Sequence, residues 1–303
     1  MAPEGRSTVR TLVEERTLTL SNLDKVLYPE AGFTKGEVIE YYRAVSEWLL
    51  PHLADRLLTR KRWPDGTGAG SFFEKNRPRG TPDWVRTVFM AEHGDAGVEY
   101  VVCNDLATLV WLANLAALEL HVPQWTVGSR GAVHKPDLLV FDLDPGAPAT
   151  IVDCCDVAQV LRDRLDAEGL QAFPVTTGKK GLHLYVPIRP ASTAGHTSTY
   201  ARARADELAA AMPELVVSAM DTAKRRGRVF IDWSQNNPAK TTIAPYSLRG
   251  EVEPTVSTPV TWDEVAAAGR PADLRFTAPQ VLERVHEYGD LLATFDSARA
   301  ALP

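Results

Sequence analysis

LLVFDLDPG, residues 138–146, is an apolar run that ends in two acids and a Pro-Gly turn. A run this short between turn signals reads as a strand, because a helix needs about ten residues or more. We expect a buried strand over 138–143, closed by Pro145-Gly146. Residues two apart in a strand face the same side of a sheet. Asp142 and Asp144 therefore project together from its end. Two like charges side by side are costly in a buried place unless a cation neutralises them. A divalent ion held by oxygen ligands is suited to that role. The alternative is a strand end that has simply reached solvent, since a bare Asp-x-Asp is common.

Outward from this strand, TTGKKGLHLYVPI (176–188) reads as a hairpin, with strands near 171–176 and 182–188 and a tight turn at Gly178–Gly181. Such a turn offers backbone N–H groups, and here the ammonium groups of Lys179 and Lys180, to a phosphate chain. His183 alternates with Leu182 and Leu184, so it faces away from the apolar side. It is either a phosphate donor or an ordinary half-exposed strand histidine. In VFIDWS, Asp232 ends another apolar strand, expected over 228–233. Two adjacent carboxylates and a third on a separate strand are the set used for two-metal phosphoryl or nucleotidyl transfer. Bringing Asp232 to the pair is left to the fold.

Helices are expected over 35–50, 105–120, 151–168 and 196–211. The first has Thr34 as N-cap, Glu37 as capping-box partner and Pro51 at its end. Residues 239–250 read as extended, and two short helices follow, one opened by Thr261 and Glu264, the other after Thr277. Helices alternating with short, hairpin-linked strands make a mixed α/β (α+β) fold with at least one antiparallel sheet. Residues 1–16 are polar and expected to be loose. Residues 17–303 are expected to form one domain of two lobes, divided near 128–136 in GSRGAVHKP.

Composition is that of a globular enzyme: 45% hydrophobic and 24% charged over 303 residues. Disordered, collagen-like and coiled-coil classes are excluded. Three cysteines, with Cys154 and Cys155 adjacent, make neither a disulfide framework nor a zinc spacing and fit a reducing compartment. The start, MAPEGRSTVR, has no apolar stretch behind it, and VCNDLATLVWLANLAALEL is interrupted by Asn104, Asp105 and Asn114. A cytoplasmic location with no membrane partner is expected. The net charge of −6 argues globally against a nucleic-acid binder. Locally, residues 56–79 hold seven Lys/Arg against two acids, and residues 222–249 hold six against one. Clustered cations in an acidic chain suit a polyanion site; the alternative is a pair of solvated basic loops. Arg60-Lys61-Arg62-Trp63 and Phe72-Phe73-Glu74-Lys75 mix cations with aromatics, as phosphate contact plus base stacking would need, or as a core strand with flanking charges would have. His121, in LELHVPQW, is open between a core and a site position.

Together these segments resemble the polymerase domain of bacterial DNA ligase D, within the archaeo-eukaryotic primase superfamily. The resemblance runs from Leu18 to Leu292 through LSNLDKVLYPEAGFTKGEVIEYY, LLTRKRWPDG, FFEKN, LELHVPQW, LLVFDLDPG, TTGKKGLHLYVP and VFIDWSQNNPAKTTIAPYSLRG. It implies a primase-like core with mixed and antiparallel sheets and flanking helices. It implies a template-dependent nucleotidyltransferase that fills gaps and extends DNA ends in non-homologous end joining, preferring NTPs to dNTPs and using two Mn²⁺ (or Mg²⁺) per site. By the resemblance, Asp142, Asp144 and Asp232 are catalytic metal ligands. His121, Thr177, Lys180, His183, Arg225, Gln235, Lys240 and Arg249 are nucleotide ligands, with His121 near the sugar. Asn22, Lys25 and Lys35 grip the 5′-phosphate of the downstream strand, and Lys61, Arg62, Phe72 and Phe73 hold DNA. The implied partners are gapped or broken double-stranded DNA, a Ku-type protein and a DNA ligase, which would place the chain at the nucleoid when on DNA. No ligase lysine motif is present, so an excised domain or a stand-alone relative is expected. Thr177 stands where the family commonly has serine; the hydroxyl is kept and a methyl is added beside the sugar. A non-catalytic end-bridging module has no need of three clustered acids, and a metal-dependent nuclease has no need of the Lys179-Lys180 turn.

Overall fold

A computed structural model describes residues 7–91 and 97–303. The described chain opens with a hairpin of β1 (Thr8–Val13) and β2 (Arg16–Ser21), then a ribbon of β3 (Val26–Tyr28) and β4 (Phe33–Thr34). Helices α1 (Lys35–Ala44) and α2 (Ser46–Leu53) follow. Next come β5 (Thr59–Arg62), β6 (Phe72–Glu74), β7 (Thr87–Ala91) and β8 (Gly97–Val101). Helix α3 (Leu106–Asn114) leads to β9 (Ala117–Val122). Then come β10 (Leu138–Pro145), α4 (Ile151–Ala167), β11 (Phe173–Thr176), β12 (Leu182–Pro187) and α5 (Ala194–Ala211). Short strands β13 (Val216–Val217), β14 (Val229–Asp232) and β15 (Thr242–Ile243) precede α6 (Trp262–Ala267) and α7 (Ala278–Tyr288).

Two sheets dominate. The five-stranded one has the order β11-β12-β10-β14-β13 and the four-stranded one β15-β9-β5-β6. All pairs in both are antiparallel except β13 with β14. The chain crosses from one sheet to the other between β9 and β10 and returns with β15.

Alternation along β10 positions the site. Leu139, Phe141 and Leu143 pack into a core with Leu161 and Leu165 of α4 and Ala201 and Ala205 of α5. Leu138 and Val140 point the other way, into a core shared with α1, α3 and β9. Each such buried side chain contributes roughly 1.5–3 kcal/mol. On that second face the apolar residues stop at Val140, and Asp142 and Asp144 come next. The neighbouring strands keep the same beat. Leu182, Leu184, Val229 and Ile231 face α4 and α5, leaving His183 and Asp232 beside the acids.

Four expectations are corrected. Residues 8–13 are not loose but pair with β2 along their whole length, while residues 1–6 lie outside the described chain. The helix expected over 35–50 is two helices that restart after Val45. Pro51 lies inside α2 instead of ending it, because Ala54 N–H still reaches Leu50 O at 2.9 Å beyond the one donor proline lacks. The helix expected over 105–120 stops at Asn114. Ala116 turns left-handed at φ 55°, and residues 117–122 become a strand held on both edges by β5 and β15. Sheet pairing there overrides the helix preference of LAALEL.

Candidate active site

Strand register assembles the acids. Asp142 lies directly opposite Asp232 on β14 and opposite His183 on β12. Opposed residues of an antiparallel pair share a face, and Asp144 joins them two residues on. His183 Nε2 is 3.2 Å from Asp142 Oδ1. Gln235 Nε2 donates to Asp142 at 3.1 Å and to Asp232 at 3.4 Å. Lys240 Nζ is 3.3 Å from Asp232, whose other oxygen accepts from the Ser234 hydroxyl and, at 3.0 Å, its N–H. Gln235 sits on a single 3₁₀ turn, Trp233–Asn236. Asn236 anchors that turn to β10, accepting from Val140 N–H at 2.9 Å and donating to Val140 O at 2.8 Å.

The two central acids are pushed in opposite directions. Burial raises the Asp142 carboxyl, but the charge and hydrogen bond of His183 and the bond from Gln235 bring it below the usual range. Burial, then the Asp142 charge, raises that of Asp144. This is the strain of like charges that a bound cation relieves. Among the described residues, no three acidic, histidine or cysteine side chains are already gathered in ligating positions. The acids are held instead by His183, Gln235 and Lys240. The donor set fits divalent ions: three carboxylates on one face, with nothing but oxygen to offer.

A cavity of about 210 Å³ opens between the two sheets, lined by both central acids and, across from them, by His121 and Arg249. Thr177, Lys179, Lys180 and His183 form another wall. The Thr177 hydroxyl accepts from the N–H of Gly181 at 3.1 Å and of Lys179 at 3.3 Å, which ties the turn. Gly178 is required there: its φ is +69°, and a Cβ would lie 2.7 Å from the Val256 backbone. Lys180 Nζ donates to Pro145 O at 3.4 Å, and Lys179 pairs with Glu251 at 2.7 Å. Arg225 stands apart from the cavity. It stacks at 3.6 Å on Phe230, the cross-strand neighbour of Asp144, and donates to Met220 O. A cavity of about 220 Å³ elsewhere is also lined by two acids, but there Asp290 accepts from the Tyr246 hydroxyl at 3.0 Å and Asp296 pairs with Arg299 at 2.8 Å.

The four DNA candidates divide by strand alternation. Lys61 and Phe73 are cross-strand partners, with Nζ 5.2 Å from the ring centre, and Phe73 meets His121 edge-on at 5.6 Å. Arg62 and Phe72 lie on the reverse face, 5.4 Å apart. There Arg62 joins the N-terminal cations: Lys25 and Arg62 are the charges felt by Lys35. Burial first, then those two charges, lowers the Lys35 ammonium to about 8. Lys35 Nζ donates to Ser21 O at 2.5 Å, and Lys25 pairs with Asp65 at 2.7 Å. Asn22 closes the turn beside them, accepting from Lys25 N–H at 3.1 Å.

Reading the sequence missed Glu119. It is 1% exposed and lies two residues before His121 on β9, hence on the same face. Its Oε2 is 2.9 Å from His121 Nε2. Its Oε1 is 3.4 Å from Arg249 Nε and accepts from Gly250 N–H at 3.1 Å. The signal was the i, i+2 pair in LELH, hidden because the segment was read as helix. Ser234 and Asn236 were missed in a loop whose turn geometry no pattern announced.

Known proteins converge on the same identity. The family model described as the LigD primase-polymerase domain matches residues 34–292. The multifunctional non-homologous end joining protein LigD of Mycolicibacterium smegmatis is 45% identical over 280 residues, covering 92% of this chain and 36% of that protein. The bifunctional LigD of Bacillus subtilis is 36% identical, covering 90% of this chain and 43% of that one. The chain thus spans well under half the length of these curated relatives. The solved polymerase domain of Mycobacterium tuberculosis ligase D, in complex with DNA, superposes with a TM-score of 0.87 at 43% identity, covering 92% of this chain and 98% of that one. With the matched region spanning both sheets and the acids at their centre, the chain belongs to the LigD primase-polymerase domain family.

Proposed function

We propose that the domain is a template-dependent nucleotidyltransferase that fills gaps and extends DNA ends with nucleotides, NTPs in preference to dNTPs, during non-homologous end joining. The observation that carries this is the register placing Asp232 and His183 directly opposite Asp142, with Asp144 on the same face. Asp142, Asp144 and Asp232 would hold two divalent ions, Mn²⁺ or Mg²⁺. When bound, these supply activation of a primer 3′ oxygen and neutralisation of the triphosphate. The chain's own groups position the reactants for in-line attack on the α-phosphorus, with pyrophosphate leaving. His183, Lys180, Lys240 and Arg249 neutralise phosphates, and Arg225 meets phosphate at the margin. Gln235 orients two of the acids. His121 and Thr177 face the sugar. Phe73 stacks on the template strand, with Lys61 beside it.

Asn22, Lys25 and Lys35, joined by Arg62 and flanked by Phe72, take the 5′-phosphate across a gap. Double-stranded DNA with gaps, overhangs or breaks is the substrate, with a Ku-type protein and a DNA ligase as partners in the cytoplasm and at the nucleoid. Among the described residues no helix is long and apolar enough to cross a membrane. The test is incubation with labelled primer-template, NTP and Mn²⁺. Lengthening supports the polymerase; shortening makes the domain a nuclease, and unchanged DNA that stays bound makes it a bridging module.

A further inference from the structure

Glu119 is a buried carboxylate with two ends in different parts of the cleft. Its Oε2 meets the His121 ring nitrogen Nε2 at 2.9 Å. Its Oε1 meets Gly250 N–H at 3.1 Å and Arg249 Nε at 3.4 Å, with Lys179 Nζ at 4.0 Å. Burial works against its charge, but the hydrogen bond from His121 and the charge of Arg249 prevail and bring it down to about 2. It is therefore ionised at any working pH and can only accept. Burial, helped by the Arg249 and Lys61 charges, lowers the pKa of His121 against the raising effect of Glu119, so the ring is neutral. A neutral imidazole carries one N–H. Beside a carboxylate that proton sits on Nε2, and Nδ1 is left as an acceptor. Among the described residues no group donates to Nδ1, and His121 lines the cavity that holds Asp142 and Asp144.

The geometry points to Glu119 as a positioning residue that selects the sugar of the incoming nucleotide: it fixes the His121 tautomer so that Nδ1 accepts a hydrogen bond from a ribose 2′-hydroxyl. This rests on the polymerase reading and deepens it. The same carboxylate holds Arg249, so the sugar end and the phosphate end of the cleft share one anchor. A 2′-deoxy sugar offers nothing to Nδ1. A 2′-fluoro sugar has an atom of similar size there but no proton to donate. Sugar selection is then directional: a donor is required, not merely a polar atom.

Glu119→Gln tests it. A glutamine has one accepting end, and Gly250 N–H, with the Arg249 guanidinium beside it, holds that end. Its NH₂ then faces His121 and moves the ring proton to Nδ1. Any weakening of the Arg249 contact falls on all triphosphates alike, so ratios isolate the sugar. With primer-template and Mn²⁺, the parent is expected to favour NTP over 2′-fluoro-NTP and dNTP by about tenfold or more in kcat/KM, the worth of one hydrogen bond. Glu119→Gln is expected to bring the NTP to 2′-fluoro-NTP ratio close to one. His121→Ala should do the same, and the double variant should do no more. In the unaltered protein, ¹⁵N NMR of the histidines should find His121 protonated at Nε2 and bare at Nδ1, a readout that holds even if the variant does not fold. The opposite tautomer, an unchanged ratio in Glu119→Gln, or equal use of NTP and 2′-fluoro-NTP by the parent overturns the assignment. A parent that extends no primer sinks the polymerase reading itself.

Discussion

The centre of the five-stranded sheet and the ribbon at β3–β4 are electrical opposites. At the sheet centre three acids share a face, and the protein already supplies His183, Gln235 and Lys240 against them. At the ribbon, Lys25, Lys35 and Arg62 gather, with Asp65 paired to Lys25 and Glu74 to Arg62. One place raises a carboxyl, Asp144, and the other lowers an ammonium, Lys35. Each stores a like-charge cost that a ligand of the other sign would relieve; under the proposed function these are cations at the acids and a phosphate dianion at the lysines. The difference lies in how much the protein settles by itself. Asp142 is held by a buried partner in His183, whereas Lys25 has an exposed one in Asp65 and Lys35 only the oxygens of Ser21.

The largest effect should come from the acids. Asp142→Ala or Asp144→Ala is expected to lower extension by on the order of 10³-fold, while DNA affinity, measured in the same buffer, stays level or rises. Parity of extension with the parent would remove the acids from the chemistry. Next, Lys35→Ala is expected to weaken binding to 5′-phosphorylated gapped DNA by roughly ten- to hundredfold. Anisotropy on the 5′-hydroxyl duplex at the same salt should bring variant and parent together; an equal loss on both ends would break the contrast drawn above.

The ammonium also predicts a pH dependence. Lys35 loses its proton near pH 8 in the free protein, so the 5′-phosphate preference should decline as pH rises through 8. The unfolded chain keeps that proton to about pH 10.4. Between those values the unfolded state binds more protons, so this group's contribution to stability rises with pH. A 5′-phosphate preference that holds constant to pH 9.5 would count against Lys35.

The two faces of β6 offer a finer test. Phe73→Ala is expected to cost about tenfold in affinity for a single-stranded template, the worth of one stacked base. Phe72→Ala should leave that affinity nearly unchanged and act on 5′-phosphate binding instead. Equal losses would mean that alternation does not separate the two tasks. The smallest effect belongs to Thr177→Ser. It keeps the hydroxyl that ties the hairpin turn. NTP use should change by less than about threefold, within the range of one methyl group in a pocket; a larger gain would mean the methyl crowds the sugar.

Much of the site was legible because it obeys local periodicity. Two-residue spacing set Asp142 beside Asp144, and alternation turned His183 away from Leu182 and Leu184. Turn chemistry fixed the hairpin at Gly178. What escaped was set by partners far away in sequence. Nothing near Asp232 announces Asp142 as its cross-strand neighbour, ninety residues earlier. LAALEL is a run of good helix formers, and only pairing with β5 and β15 makes it a strand. That single misreading concealed Glu119, because on a helix residues 119 and 121 do not share a face. The N-terminal residues looked loose because β1 is mostly exposed, and its strand form comes from pairing with β2.

Strand β10 serves two masters by alternate residues, and this has a genetic consequence. Consider a library of every single substitution across 138–144, scored once for protein abundance in cells and once for repair of a cut plasmid. Changes at Leu139, Phe141 and Leu143 remove wall material from the α4–α5 core, and large-to-small changes there cost roughly 2–5 kcal/mol. They should deplete abundance, and repair only in proportion. Changes at Asp142 and Asp144 should spare abundance and erase repair. Abundance would then fall at every position from 138 to 141, because Leu138 and Val140 are still core on their own face, and at 143, while at 142 and 144 it would recover and repair alone would be lost. The residue at which the even-numbered positions switch from one trace to the other marks, without any ligand, where the protein stops being scaffold and becomes catalyst.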